Sequence, residues 1–253
     1  MIIEYHRPTT IDEALALLSR EEIPTIPIGG GSALSRILKE PVAVVDIQKL
    51  GIDQIKDHGK TIELGAAVTL QNLLDSASIF SPLDRVVRHE ATYNLRQVAT
   101  IGGTLVAANG RSPVATALLA LNVKLVLLPR DEVVDIGDFL ALRSDWLQGR
   151  IIIAARMPKN VRLDYEYVAR TPADQPIVCV AVCKWPSGRT RVALGGFGEA
   201  PNLAFDGSES IGAVVAAKNT YALADDEWAG SAYRQEVSSI LTERCLARLE
   251  SEN

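Results

Sequence analysis

Two glycine clusters carry most of the chemical information in this chain: Ile28-Gly29-Gly30-Gly31-Ser32 and Thr100-Ile101-Gly102-Gly103-Thr104. Adjacent glycines free the backbone to take positive φ and let an anion reach N–H groups that a Cβ would shield. A hydroxyl residue, Ser32 or Thr104, closes each cluster and adds a donor. The ligand such a pattern suits is an anion, above all a phosphate. Taken alone, Gly29 to Gly31 reads equally well as a tight turn. Neither cluster is followed by Gly-Lys-Ser/Thr, and Gly29 to Gly31 lacks the G-x-G-x-x-G spacing of a dinucleotide fingerprint. Residue types and spacing therefore reach two candidate phosphate loops, and their presence in one chain suggests one extended ligand held from two sides.

Other chemistry is thin. His6, His58 and His89 are scattered without metal-ligand spacing and read as surface or structural residues. Cys179, Cys183 and Cys245 form no zinc or iron–sulfur pattern, and their odd number argues against a disulfide framework. Cys179 and Cys183 share one face of a β-like run and read as core thiols. Arg111 and Arg156 are candidate partners for a phosphate, with exposed solvation the simpler reading. Tyr93, Tyr165 and Tyr167 are candidate stacking residues, with core packing the simpler reading. The net charge of −5, with acids and bases interspersed, offers no basic face for nucleic acid and no polybasic membrane patch. The N-terminus lacks a signal-peptide pattern, and no apolar run reaches the roughly 18 residues of a membrane helix. The expectation is a soluble cytoplasmic protein.

The elements that must position the glycines follow from caps and periodicity. Thr10-Ile-Asp-Glu13 is a capping box opening a helix with Ile11, Ala14, Leu15 and Leu18 on one face. Thr25 to Ile28 and Val42 to Ile47 read as strands, so the first cluster sits at a strand end in a small β-α-β unit, where α/β folds bind ligands. The alternation of Ile62, Leu64, Ala66 and Val68 predicts a half-buried strand. Thr69 caps a helix bearing Leu70, Leu73 and Leu74, and Pro82 opens another through Leu83, Val86 and Val87. Ser112-Pro113 is a strong helix start, a capping hydroxyl followed by the ring favoured at the first helical position. Strands are expected over Val123 to Leu128, Val133 to Ile136 and Ile151 to Arg156. From Leu163 onward three β-rich runs follow, Tyr165 to Arg170, Ile177 to Trp185 and Thr190 to Gly196, the last two joined by Pro186-Ser-Gly188 as a hairpin. Ile211 to Lys218 and Glu227 to Leu249 read as helices.

The order of elements together with both clusters resembles the FAD-binding medium subunit of molybdenum hydroxylases, the group that includes the carbon monoxide dehydrogenase and xanthine dehydrogenase flavoproteins. The resemblance is carried by Tyr5-His-Arg-Pro-Thr-Thr-Ile-Asp-Glu-Ala-Leu-Ala-Leu-Leu18, Ile28 to Ser32, Ala99-Thr-Ile-Gly-Gly-Thr104, and the closing Gly230-Ser-Ala-Tyr-Arg-Gln235. It implies an α+β fold: two small α/β FAD-binding subdomains of PCMH type, residues 1–55 and 56–160, then a C-terminal domain, 161–253, of three antiparallel strands with a helical bundle. Carried over position by position, Ile28, Gly29, Gly30, Gly31, Ser32, Thr100, Ile101, Gly102, Gly103 and Thr104 would hold the FAD pyrophosphate, with Asn109 in the same cofactor-binding set.

The chain departs from the family pattern in several places. Gly31 and Thr104 stand where His and Asn are common, Asn109, Gly110 and Pro113 replace an Asp-Pro segment running to a second Asp, and Ala169 replaces a Lys. Asp174, beside Gln175, falls where the family places a Gly-Asp pair near the flavin. The resemblance further implies an electron-transfer role in a heterotrimer. An iron–sulfur small subunit and a molybdopterin large subunit would be the partners, and NAD or a quinone the external acceptor. Two alternatives remain at this level: a flavin-free scaffold, and a stand-alone flavin oxidoreductase.

Overall fold

The computed structural model describes residues 1–34, 40–76 and 81–251. The chain divides into two compact units: Met1–Ser78, Tyr93–Ala107 and Lys124–Met157 form the first, and Ile79–Thr92, Ala108–Val123 and Pro158–Asn253 the second.

In the first unit, β1 (Ile2–His6), β2 (Thr25–Ile28) and β3 (Val42–Asp46) form a parallel sheet of order β1-β3-β2. Every residue of β3, Val-Ala-Val-Val-Asp, is buried, as a central parallel strand requires. Helix α1 (Ile11–Leu18) starts where the capping box places it: Thr10 Oγ1 accepts from Glu13 N–H at 3.3 Å, and Glu13 Oε2 accepts from Thr9 N–H at 3.2 Å. Its Ala14 and Leu18 pack with Val45, Ile47 and Ile151 in one apolar cluster. A second sheet of the same unit has the order β4-β5-β8-β6-β7, built from Ile55–Asp57, Thr61–Gly65, Ile151–Pro158, Lys124–Leu128 and Glu132–Asp135. The expected half-buried strand is β5, ending at Gly65, where a Cβ would lie 2.2 Å from the Ile52 carbonyl oxygen. Helix α2 (Leu70–Asp75) is capped by Thr69, whose Oγ1 accepts from Asn72 N–H at 3.0 Å.

The second unit holds the antiparallel sheet β9 (Arg162–Val168), β10 (Val178–Lys184), β11 (Thr190–Gly195) and β12 (Asn202–Gly207), in the order β12-β11-β10-β9. The expected three strands are therefore four. Edge strand β12, Asn-Leu-Ala-Phe-Asp-Gly, has no fully buried residue and so lacks the apolar signature that reveals the other three. Val178, Val180 and Val182 of β10 face Leu241, Cys245 and Leu249 of α10 (Ser231–Ser251) and Ala213 and Ala217 of α9 (Ala213–Thr220). The opposite face carries Cys179, buried near Thr116 of α6 (Pro113–Ala120). Burial pushes the Cys179 thiol up to about 12, which suits an inert core thiol. Helix α6 starts as expected: Ser112 Oγ accepts from Ala115 N–H at 3.1 Å with Pro113 next. All eight of its residues are buried, the pattern of a helix covered on every side.

Candidate functional site

The two glycine clusters meet in the first unit. A cavity of about 230 Å³ is lined by Ile28, Gly29, Gly30, Gly31 and Ser32 from the first and by Thr100, Gly102 and Gly103 from the second. Ile26, Leu34, Ile47, Val106, Leu147 and Ile151 add an apolar wall, and among the described residues no ionisable side chain takes part in the lining. Ile101 and Thr104 do not line it, and Asn109 belongs to the other unit.

The clusters do different things. The first is a turn at the C-terminal end of β2, and Gly31 has φ +69°, with open space where a side chain would stand. Among the described residues, the N–H groups of Gly29, Gly30 and Gly31 donate to no other protein atom. Gly29 and Gly30 also allow close approach of the second segment. A Cβ on Gly30 would lie 1.6 Å from the Val98 carbonyl oxygen, and one on Gly29 2.4 Å from Thr100 Oγ1.

The second cluster corrects the expectation of a loop with positive φ: it opens helix α5 (Ile101–Ala107). Its N–H groups are spent inside the protein. Ile101 N–H donates to Val68 O and Gly102 N–H to Ala66 O, both at 2.9 Å. Gly103 N–H donates to Thr100 Oγ1 at 3.1 Å, and Thr104 N–H to Thr100 O at 2.8 Å. The Thr100 hydroxyl, expected to face a phosphate, thus works as a helix cap. Gly102 permits contact with Ala66, whose Cβ and carbonyl oxygen would each stand 3.0 Å from an added Cβ. What this segment turns to the cavity is Thr100 and the two glycines, Gly102 and Gly103.

A residue that sequence reading missed completes the first turn. Gln48 Nε2 donates to the Gly29 carbonyl at 2.8 Å, and Gln48 N–H donates to Asp46 Oδ1 at 2.9 Å. Asp46 is buried and also accepts from the Tyr5 hydroxyl and pairs with Arg7 Nε at 3.2 Å. Only the register of β2 against β3, Ile28 beside Asp46, brings these groups to the turn. The apolar wall went unnoticed too, since Leu147 lies on the short helix α8 (Arg143–Leu147), which has no periodic signature.

Arg156 is exposed, as the simpler reading has it, and its Nε donates to Glu63 Oε2 at 2.8 Å. Arg111, in the second unit, donates from Nε to Pro176 O at 2.9 Å and from Nη2 to Gln175 O at 2.8 Å, and lies 4.2 Å over the Trp228 ring, whose neighbour Arg170 lies at 4.4 Å. Neither arginine lines the glycine cavity. Asn109 Oδ1 accepts from Arg111 N–H at 2.8 Å, and Gly110 is pinned beside it: its N–H donates to Gly198 O at 2.9 Å and its carbonyl accepts from Gly196 N–H at 2.6 Å. A Cβ on Gly110 would stand 1.9 Å from the Phe197 carbonyl oxygen, which accounts for glycine there.

His89, also in the second unit, is structural as expected. Its Nε2–H donates to the Asp174 carbonyl at 2.9 Å, so Nδ1 accepts from the Tyr165 hydroxyl at 2.8 Å, and its ring stacks on Tyr167 at 3.8 Å. Burial lowers its pKa against the opposing effect of the Asp174 carbonyl. Tyr165 is fully buried, whereas Tyr93 is 62% exposed, so the core reading holds for the first and not for the second.

The groups at the cavity fit an FAD. Glycine backbone with unspent N–H groups suits a diphosphate, and the apolar wall suits a planar ring. Its volume falls below the roughly 300–1,000 Å³ of pockets that enclose a whole drug-sized ligand, so it is too small to enclose a whole FAD by itself. Over residues 1–160 the chain matches the family described as the FAD binding domain in molybdopterin dehydrogenase, and it belongs to that family. It is an FAD-binding component of an oxidoreductase. It is 28% identical over 198 residues to the uncharacterized protein YgfM of Escherichia coli (strain K12), covering 78% of this chain and 75% of that one. It is 33% identical over 116 residues to the carbon monoxide dehydrogenase medium chain of Afipia carboxidovorans, covering 42% and 39%. Its fold matches a chain of the reconstituted CO dehydrogenase from Oligotropha carboxidovorans with a TM-score of 0.84 at 23% identity, over 99% of this chain and 98% of that one. No described helix is long and apolar enough to cross a membrane.

Proposed function

We propose that this chain is the electron-transfer medium subunit of a cytoplasmic molybdopterin-dependent hydroxylase or dehydrogenase, joined to an iron–sulfur small subunit and a molybdopterin large subunit. The observation that carries the reading is the convergence of both glycine clusters on one cavity. In this reading Gly29, Gly30, Gly31 and Ser32 supply donors to the pyrophosphate. Ile28, Thr100, Gly102 and Gly103 also line that cavity, and Ile101 and Thr104 belong to the helix that the second cluster opens. The division into parts 1–55, 56–160 and 161–253 belongs to the same proposal and is supported by the order of the three sheets along the chain, with β4 (Ile55–Asp57) straddling the first boundary.

When bound, the flavin supplies the redox chemistry, taking electrons from an iron–sulfur carrier and passing them to an acceptor such as NAD or a quinone. The chain's own residues bind and orient. Backbone N–H groups at the β2 turn offer fixed dipoles that need no reorganisation, while Ile26, Ile47 and Ile151 exclude water. Substrate choice in this reading belongs to the large partner.

The test is a visible absorption spectrum of the purified chain after incubation with excess FAD, then heat release and chromatography of the cofactor. Flavin bands with FAD, rather than FMN, released are expected. A colourless chain in excess FAD would overturn the reading for the isolated subunit. Capture of a chain carrying iron–sulfur clusters, detected by its own absorbance, is the expected next result.

A further inference from the structure

The first glycine turn closes on itself only beyond Gly31, where Leu34 N–H donates to the Gly31 carbonyl at 3.1 Å; the Gly29 carbonyl is held from just past the neighbouring strand. Gln48 lies two residues beyond the end of β3, its side chain exposed, yet its Nε2 is held 2.8 Å from the Gly29 carbonyl. Its own N–H is anchored on Asp46 Oδ1 at 2.9 Å, and its Oε1 accepts from Arg7 Nη2 at 3.5 Å. Asp46 is held in turn by the Tyr5 hydroxyl and by Arg7 Nε. Three elements of the parallel sheet thus converge on one carbonyl.

The consequence follows from peptide planarity. The Gly29 carbonyl and the Gly30 N–H belong to one trans plane and point in opposite directions. Fixing the carbonyl on Gln48 therefore aims the Gly30 N–H away from Gln48. Gly29 and Gly30 have no side chains to resist a peptide flip, and such rotation is open to glycine on both sides of φ. Contact with Val98 limits where the Gly30 Cα can sit, but it does not choose the direction of the N–H.

We infer that Gln48, keyed by the buried Asp46, is a positioning residue for the pyrophosphate of FAD, setting the direction in which the first glycine turn presents its N–H groups. The inference rests on the flavoprotein reading above. Gln48 touches only protein; its effect on cofactor passes through the Gly29–Gly30 peptide.

The test compares the full chain with Gln48→Met, which keeps the length of the side chain and removes the donor, and Gln48→Glu, which sets a carboxylate against the Gly29 carbonyl. FAD affinity is read by quenching of flavin fluorescence, and the apo chain is melted in parallel. Loss of one net hydrogen bond to a carbonyl, transmitted to binding, predicts roughly five- to tenfold weaker FAD binding for Gln48→Met, and a larger loss for Gln48→Glu. The apo melting temperature should stay within about 2 °C of wild type, because an exposed side chain contributes little to folding. A merely structural residue would lower that temperature in step with affinity, and that result would overturn the inference. So would both variants binding FAD within twofold of wild type. Wild-type chain that takes up no FAD overturns the flavoprotein reading, and with it this inference.

Discussion

The two glycine clusters look alike as sequence and differ as structure. Gly29 to Gly31 form a turn whose N–H groups find no acceptor among the described residues, with Gly31 in the left-handed region. Gly102 and Gly103 sit in the first turn of α5, with normal helical backbone and N–H groups already donated to Ala66 and Thr100. The first cluster is glycine for the sake of donors and conformation, the second for close packing. The contrast shows that a glycine pair beside a hydroxyl does not by itself reveal whether its amides face a ligand or its Cα atoms face another segment.

The sharpest way to break this contrast is Gly30→Ala. The added Cβ would stand 1.6 Å from the Val98 carbonyl oxygen, a backbone atom that can move only with its chain. A cost of about 3 kcal/mol or more is expected, lowering the melting temperature by roughly 6–12 °C, with FAD binding abolished. Calorimetry of the apo protein measures the first and flavin absorbance the second.

Gly31→Ala separates conformation from space, because its Cβ position is open while φ is +69°. A cost of about 1–2 kcal/mol is expected, a fall of about 2–8 °C in the same calorimetric scan, with FAD bound less tightly but still bound. Gly103→Ala asks the reverse question. The new Cβ meets only Thr100 Oγ1, at 3.0 Å, on an exposed helical position where Ala gains about 1 kcal/mol of propensity over Gly. Stability should change little and FAD affinity by less than about twofold, since a shift below about 0.4 kcal/mol is expected. A tenfold loss would mean that this segment, and not only the first, gives its amides to the cofactor.

The smallest effect concerns charge. Among the described residues the glycine cavity has no ionisable lining, whereas the second unit keeps His89 neutral between Tyr165 and the Asp174 carbonyl. With its folded pKa below the unfolded value near 6.5, the unfolded chain binds the proton more readily. The stability contributed by neutral His89 is therefore present above about pH 6.5 and is lost as pH falls through the folded pKa. Urea midpoints of wild type and His89→Gln at pH 7.5 and 5.5 should show a smaller fall on acidification in the variant, while the pH dependence of FAD binding is unchanged by it.

Local signals in the sequence were accurate where the deciding atoms lie within one helical turn. Thr10 with Glu13, Thr69 with Asn72, and Ser112 with Pro113 and Ala115 all form the caps their spacing implies, because a cap is a contract between residues three apart. The apolar runs of β3 and β10 were equally legible, since burial on both faces demands nearly continuous apolar sequence. Edge strand β12 and the short α8 were not, because partial burial leaves little pattern to read.

The composition of the site divides in the same way. By itself the sequence determined that two side-chain-free segments would exist and that the first would follow a strand. Tertiary structure alone decided that both would line one cavity, that only the first would keep its amides, and that Gln48 and Asp46 would steer it. Those outcomes depend on acceptors at Ala66 and Val68, on the close approach of Val98 to Gly30 and on the β2–β3 register, contacts set by packing of segments far apart in the chain. A glycine carries no side chain to record which of those neighbours it will meet.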